Sequence, residues 1–117
     1  MAGEALLQTS VGVLKKILQV LSNDKNSIGQ ETLTVTTGAL GLTPTSGASN
    51  ALIQVESTNS IDAVRYWQSG ASPTSTVGFV QGNGAVIEVT TAEQLRLFKV
   101  IKGAGAGATT LNIMYFR

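Results

Sequence analysis

The stretch "VRYWQSGASPTSTVGFVQGNGAVIEV", Val64 to Val89, decides how the rest of the chain is read. Its two ends carry the β-branched and aromatic residues of strands, and its middle is small, hydroxylated and glycine-containing. Such a middle suits either a ligand-cradling loop or a plain connection between strands. None of its residues from Ser69 to Gly78 is charged or titratable near neutrality, which favours a connection. Pro73 and Gly78 punctuate it. Asn83-Gly84, between "VGFV" and "AVIEVT", is a strong hairpin signal because both residues tolerate positive φ.

The same two-residue period continues outward from this stretch. "ETLTVTT" sets Leu33 and Val35 between threonines, and "ALIQVES" aligns Ala51, Ile53 and Val55. "AVIEVT" aligns Ala85, Ile87 and Val89. In "TLNIMYF", Leu111, Ile113 and Tyr115 alternate with Asn112, Met114 and Phe116. "LRLFKVIK" shifts phase between Leu97 and Phe98, which reads as a β-bulge. "TTAEQL" fits a turn or one helical turn, with Thr91 as its cap. The expected fold is mainly β: an antiparallel β-sandwich or barrel of about seven short strands with an N-terminal amphipathic helix.

That helix is expected over residues 4 to 22. Leu7, Val11, Leu14, Leu18 and Leu21 follow heptad a/d spacing, and Leu6, Val13, Ile17 and Val20 widen the stripe. Lys15 and Lys16 fall on the polar side. Gly12 costs about 1 kcal/mol relative to Ala, so the helix needs its contacts. "SNDKNSIGQ", Ser22 to Gln30, reads as a linker. The chain thus divides into an arm and linker, 1–30, and a β domain, 31–117. The stripe suits either packing on its own domain or an interface with another subunit or a larger partner.

Composition narrows the function. The 117-residue chain has no cysteine and no histidine, so thiolate chemistry, His-dependent triads and most zinc sites are excluded. The acidic residues form no close cluster in sequence, and no metal site or cofactor is expected. "GAGAGATT", Gly103 to Thr110, lacks the Gly-Lys-Ser/Thr ending of a P-loop, and a strand follows it rather than a helix. No catalytic residue stands out, and the chain is expected not to be an enzyme.

The net charge of +1 is scattered, so neither nucleic acid nor a membrane surface is an expected partner. No stretch approaches the ~20 apolar residues of a membrane span, and a cleaved signal peptide is not expected. The charged fraction is 13%, against roughly 25% in ordinary soluble domains. Neutral polar residues or a partner must therefore cover part of the surface. Trp67, the sole tryptophan, alternates with Tyr66; the favoured reading has both sheet faces covered and Trp67 buried, and with Tyr66 in the core and the other face open Trp67 becomes a possible surface contact.

The residues "VRYWQSGASPTSTVGF", "GNGAVIEV" and "LRLFKVIKGAGAGATTLNIMYFR" together resemble a pattern in small virion proteins of tailed bacteriophages. In that pattern an Arg-Tyr strand leads to a Pro-Thr loop, and the chain closes on an A-T-L-x-V-x-Y-Y/F-R-like strand. The resemblance spans Ile61 to Arg117. Trp67, Gln68 and Ile113-Met114 depart from it, and the N-terminal helix has no counterpart. It implies a β-rich, non-enzymatic structural protein of the virion, made in the host cytoplasm. Capsid decoration (cement) is the leading role. The implied partners are further copies of itself, a trimer being favoured, and the major capsid protein or another virion protein. A head-fibre, neck or tail adaptor is the near alternative, and a carbohydrate-binding β-sandwich the distant one.

Overall fold

The computed structural model describes residues 26–117. The expected helix, and with it Leu7, Val11, Leu14, Leu18 and Leu21, lies outside the described residues.

Among the described residues eight strands, one more than the seven or so expected, form two antiparallel four-stranded sheets. They are β1 (Ser27–Thr34), β2 (Leu40–Gly41), β3 (Asn50–Ser57), β4 (Val64–Trp67), β5 (Phe79–Gln81), β6 (Val86–Val89), β7 (Lys99–Lys102) and β8 (Thr109–Phe116). One sheet runs β1-β8-β3-β6 and the other β2-β7-β4-β5. The extra strand, β2, has only two residues, too few to show a period. β1 starts at Ser27, inside the stretch read as linker, because pairing with β8 recruits Ser27 through Gln30, of which only Ile28 has a marked strand preference.

A single apolar core joins the two sheets in a sandwich-like arrangement. Ala51, Ile53 and Val55 of β3, Ile87 and Val89 of β6, and Leu111, Ile113 and Tyr115 of β8 enter it from one side. Val64 and Tyr66 of β4 and Val100 of β7 enter it from the other. These are the residues the alternation singled out in β3, β6 and β8, since register keeps one parity on the buried face.

Two local readings are corrected. Asn83-Gly84 does not close a hairpin: β5 and β6 belong to different sheets. Gly84 takes the positive φ (+85°), but its N–H donates to the Val55 carbonyl at 2.8 Å, and the Asn83 N–H donates to the Asn59 carbonyl at 3.1 Å. The turn thus carries the chain from one sheet to the other. The phase shift at Leu97-Phe98 is not a bulge but the end of a short helix, α1 (Ala92–Leu97), which meets β7. Thr91 does cap it, its hydroxyl accepting from the Gln94 N–H at 3.1 Å. Leu95 on α1 and Phe98 just after it are buried in the core.

Among the described residues the only hairpin between consecutive strands is β4–β5, and the Ser69–Gly78 stretch is its connection. Thr74 and Val77 pair with each other within it, and its base is tied by the Gly70 N–H donating to the Leu97 carbonyl at 3.1 Å.

Candidate functional site

Two surfaces stand out among the described residues, and both are apolar. The first is the edge formed by β4 and β5. Register sets Tyr66 opposite Phe79 and Arg65 opposite Val80. Aromatic rings lead from the core to solvent there. Phe98 stacks on Tyr66 (5.4 Å between centroids, 21°), Tyr66 meets Phe79 (5.8 Å, 50°), and Phe79 meets Trp67 (5.4 Å, 58°). Tyr66 is buried and Trp67 half-buried, while Phe79 is 62% exposed. Val77 and Val80 beside it are exposed as well.

Ile61, 78% exposed, is brought to the end of β5 by the packing of the neighbouring turn. The Asn59 side-chain oxygen accepts from the N–H groups of Ile61 and Asp62, at 3.1 and 3.0 Å, and shapes that turn. Gly82 lets it approach: a Cβ there would lie 1.9 Å from the Ser60 carbonyl oxygen. The charges on this flank are internally matched. Arg65 donates to Asp62 at 3.3 Å and to the Gly78 carbonyl at 3.3 Å. Edge strands that stay in water are usually guarded by unpaired charges or proline. This one offers Phe79 and Val80, with the exposed Val77 just before it.

The second surface is the outer face of the β1-β8-β3-β6 sheet, away from the core. Leu52, Val86, Met114 and Phe116, together with Gln30, Gln54 and Asn112, are among the residues lining a depression of about 570 Å³. Asn112 also donates to Glu56. Met114 is 44% exposed, whereas Phe116, on the same parity, is 1% exposed without belonging to the core cluster.

Titratable groups are sparse. Among the described residues no three of the His, Cys, Asp and Glu side chains converge to hold a metal ion. The notable polar contact is internal: the Tyr115 hydroxyl donates to Glu31 Oε1 at 2.5 Å, and Glu31 also accepts from the Thr43 N–H at 3.1 Å. Burial first, and then this hydrogen bond, hold the Tyr115 phenol far above its ordinary pKa. The pair pins the edge strand β1, and the loop after β2, to β8. The glycine-rich connection Gly103–Ala106 meets the Pro73–Ser75 loop, where the Ala104 N–H donates to the Ser75 carbonyl at 3.3 Å. Two loops weighed as possible cradles therefore pack on each other.

Of the expected contact residues within the described range, Trp67 lies half-buried at the aromatic edge, between full burial and an open surface position. Its partner Phe79, and Ile61, Val77 and Val80, were not singled out, because exposure on an edge depends on sheet order. The second surface had a signal: β8 reads apolar on both parities at its end, with Met114 and Phe116 opposite Ile113 and Tyr115.

Compared with protein-family models, with curated proteins and with solved structures, the chain gave no match.

Proposed function

We propose that the chain is a non-enzymatic structural protein of a tailed-phage virion, of the capsid-decoration kind, that forms a homo-oligomer, with a trimer favoured, on the capsid exterior. The observation that carries this reading is the apolar edge at Ile61, Val77, Phe79 and Val80. An exposed, charge-free edge strand attracts another chain, and the partners in this reading are a second copy and the major capsid protein. The resemblance across Ile61 to Arg117, which includes this edge, supports the virion assignment. The test is Phe79→Ser combined with Val80→Lys, read by sedimentation mass and by binding to purified particles. The expected result is loss of oligomers or of particle binding with urea unfolding shifted by less than about 1 kcal/mol, since both residues are exposed. Unchanged mass together with unchanged particle binding rejects the reading. Copy number per particle separates decoration from a fibre, neck or tail adaptor.

A second reading rests on the adjacent Trp67 and Phe79 rings beside a Ser/Thr-rich loop, which suit stacking on a sugar face. It predicts glycan-dependent quenching of the single tryptophan. A flat response across a broad glycan panel rejects it.

A further inference from the structure

Asparagine is among the thermolabile residues, and a glycine after it, having no Cβ, leaves attack on its side chain unobstructed. Asn83-Gly84 is the one such pair in the chain. The reaction needs only water. The Gly84 nitrogen gives up its proton and bonds to Asn83 Cγ, the Cγ–Nδ2 bond breaks, and ammonia leaves with that proton. Water then opens the resulting ring at either carbonyl. Breaking the new Cγ–N bond gives aspartate. Breaking the original peptide C–N bond gives isoaspartate, with the main chain rerouted through Cγ and one carbon longer.

Both residues are exposed, so solvent reaches them, yet the fold engages both reacting groups. The nucleophile is held by the main chain. The Gly84 N–H donates to the Val55 carbonyl at 2.8 Å, and the Val55 N–H donates to the Ala85 carbonyl at 2.9 Å. The turn thereby continues the β3–β6 pairing past Gln54 and Val86. An amide proton bonded in this way leaves only when the bond opens, as in hydrogen exchange. The electrophile is held by its own side chain: Asn83 Oδ1 accepts from the Ser57 N–H at 3.0 Å, which restricts the rotation that attack on Cγ requires. Two further bonds close the frame. The Asn83 N–H donates to the Asn59 carbonyl at 3.1 Å, and the Ala85 N–H donates to the Gly82 carbonyl at 3.2 Å.

We propose that Asn83 is a deamidation site held shut by the fold, so that isoaspartate forms there only in chains whose 82–85 turn has left β3, and stops them from regaining it. The Val55 carbonyl and the Ser57 N–H stand at a fixed spacing along β3, and Gly84 and Asn83 must meet them together. A backbone one carbon longer no longer fits that spacing. Aspartate keeps the normal chain length and an oxygen for the Ser57 N–H, so it refolds. The turn carries the chain from β5 in one sheet to β6 in the other, and damage there acts on the link between the two. A passing unfolding event is thereby made permanent. The assignment does not rest on the virion reading.

Trypsin releases Asn83 in the fragment Tyr66–Arg96, which holds no other asparagine, so peptide mass spectrometry of the full-length chain reads this site alone. The folded chain and a synthetic peptide of residues 66–96 are aged side by side in one mildly alkaline buffer. Deamidation of Asn83 should be at least about tenfold slower in the folded chain, as its bonded amide dictates. Equal rates overturn the proposal. A second measurement tests the consequence. Chains aged in guanidinium are returned to buffer and treated briefly with trypsin, and isoaspartate is compared between intact and digested bodies. It should be enriched at least about threefold in the digested fraction, because cleavage follows the population of open chains. Asn83→Asp chains should survive like the wild type. Equal isoaspartate in both fractions overturns the proposal. So does digestion of Asn83→Asp to the same extent, which makes the added charge the cause in place of the longer backbone.

Discussion

Replacing Tyr115 with phenylalanine removes one oxygen from the interior and tests how β1 is held. The phenol is buried and its hydroxyl donates to Glu31 Oε1 at 2.5 Å. Hydrogen bonds to charged groups are worth about 1.5–3 kcal/mol. Glu31 is half-buried and keeps the Thr43 N–H as a donor, so the lower part of that range applies, about 1.5–2 kcal/mol at pH 7. The pH dependence follows from the raised phenol pKa. Above about pH 10 the unfolded chain ionises this tyrosine while the folded chain keeps its proton. The unfolded state then binds fewer protons, so the contribution is complete below pH 10 and declines as pH rises. The decline is about 1.4 kcal/mol by pH 11. The phenylalanine variant has no such proton, so the wild-type advantage should narrow from about 1.5–2 to about 0–0.5 kcal/mol between pH 8 and pH 11. Urea unfolding followed by the emission of Trp67 measures both values. A cost below about 0.5 kcal/mol at pH 7 would refute the hydrogen-bond assignment. A gap that stays constant up to pH 11 would refute the linkage. A double-mutant cycle with Glu31→Gln isolates the pair.

Three further substitutions probe the packing of the described body. Gly82→Ala places a Cβ 1.9 Å from the Ser60 carbonyl oxygen and 2.8 Å from the Ile61 nitrogen. Displacing that backbone should cost at least about 1–3 kcal/mol in urea unfolding, and a neutral result shows that the 59–62 turn yields freely. Thr91→Ala removes the cap of α1 and should cost about 1 kcal/mol, with an unchanged midpoint refuting a contribution from that cap. Phe98→Ala empties a fully buried site beneath Tyr66 and should cost about 3–5 kcal/mol. It should also alter Trp67 emission through the loosened Tyr66 and Phe79 rings, which a single-temperature fluorescence spectrum reads directly.

Much of the body was legible residue by residue. In β3, β6 and β8 the alternation named the core positions because a strand can offer only one parity to a buried face. Thr91 was legible because an N-cap is a local hydrogen bond between residues three apart. The errors were equally local in origin. Asn83-Gly84 has the right dihedral preference for a tight turn, but a dipeptide cannot specify which sheet receives the next strand. Leu97-Phe98 showed a real change of period, and a six-residue helix is too short to display 3.6-residue spacing against a bulge. Ser27 to Gln30 joined β1 only because β8 lay beside them. The aromatic edge was half legible: Trp67 announced itself as the sole tryptophan, whereas Phe79 looked like any strand residue.

By itself the sequence determined the class of secondary structure, the core parity of the strands and the lack of histidine and cysteine chemistry. These follow from side-chain identity and from periods shorter than a strand. Tertiary structure decided the order β1-β8-β3-β6 and β2-β7-β4-β5, and hence that β5 is an edge and that Met114 on the outer side of β8 is exposed while Phe116 is not. Strand order arises from pairings between residues as far apart as Ser27 and Phe116. No local preference encodes such pairings, because each is selected by the burial of the whole core at once. The question first raised by Val64 to Val89 resolves the same way. Its loop is the connection of a hairpin, and the surface with most to offer a partner is the edge strand that the loop delivers.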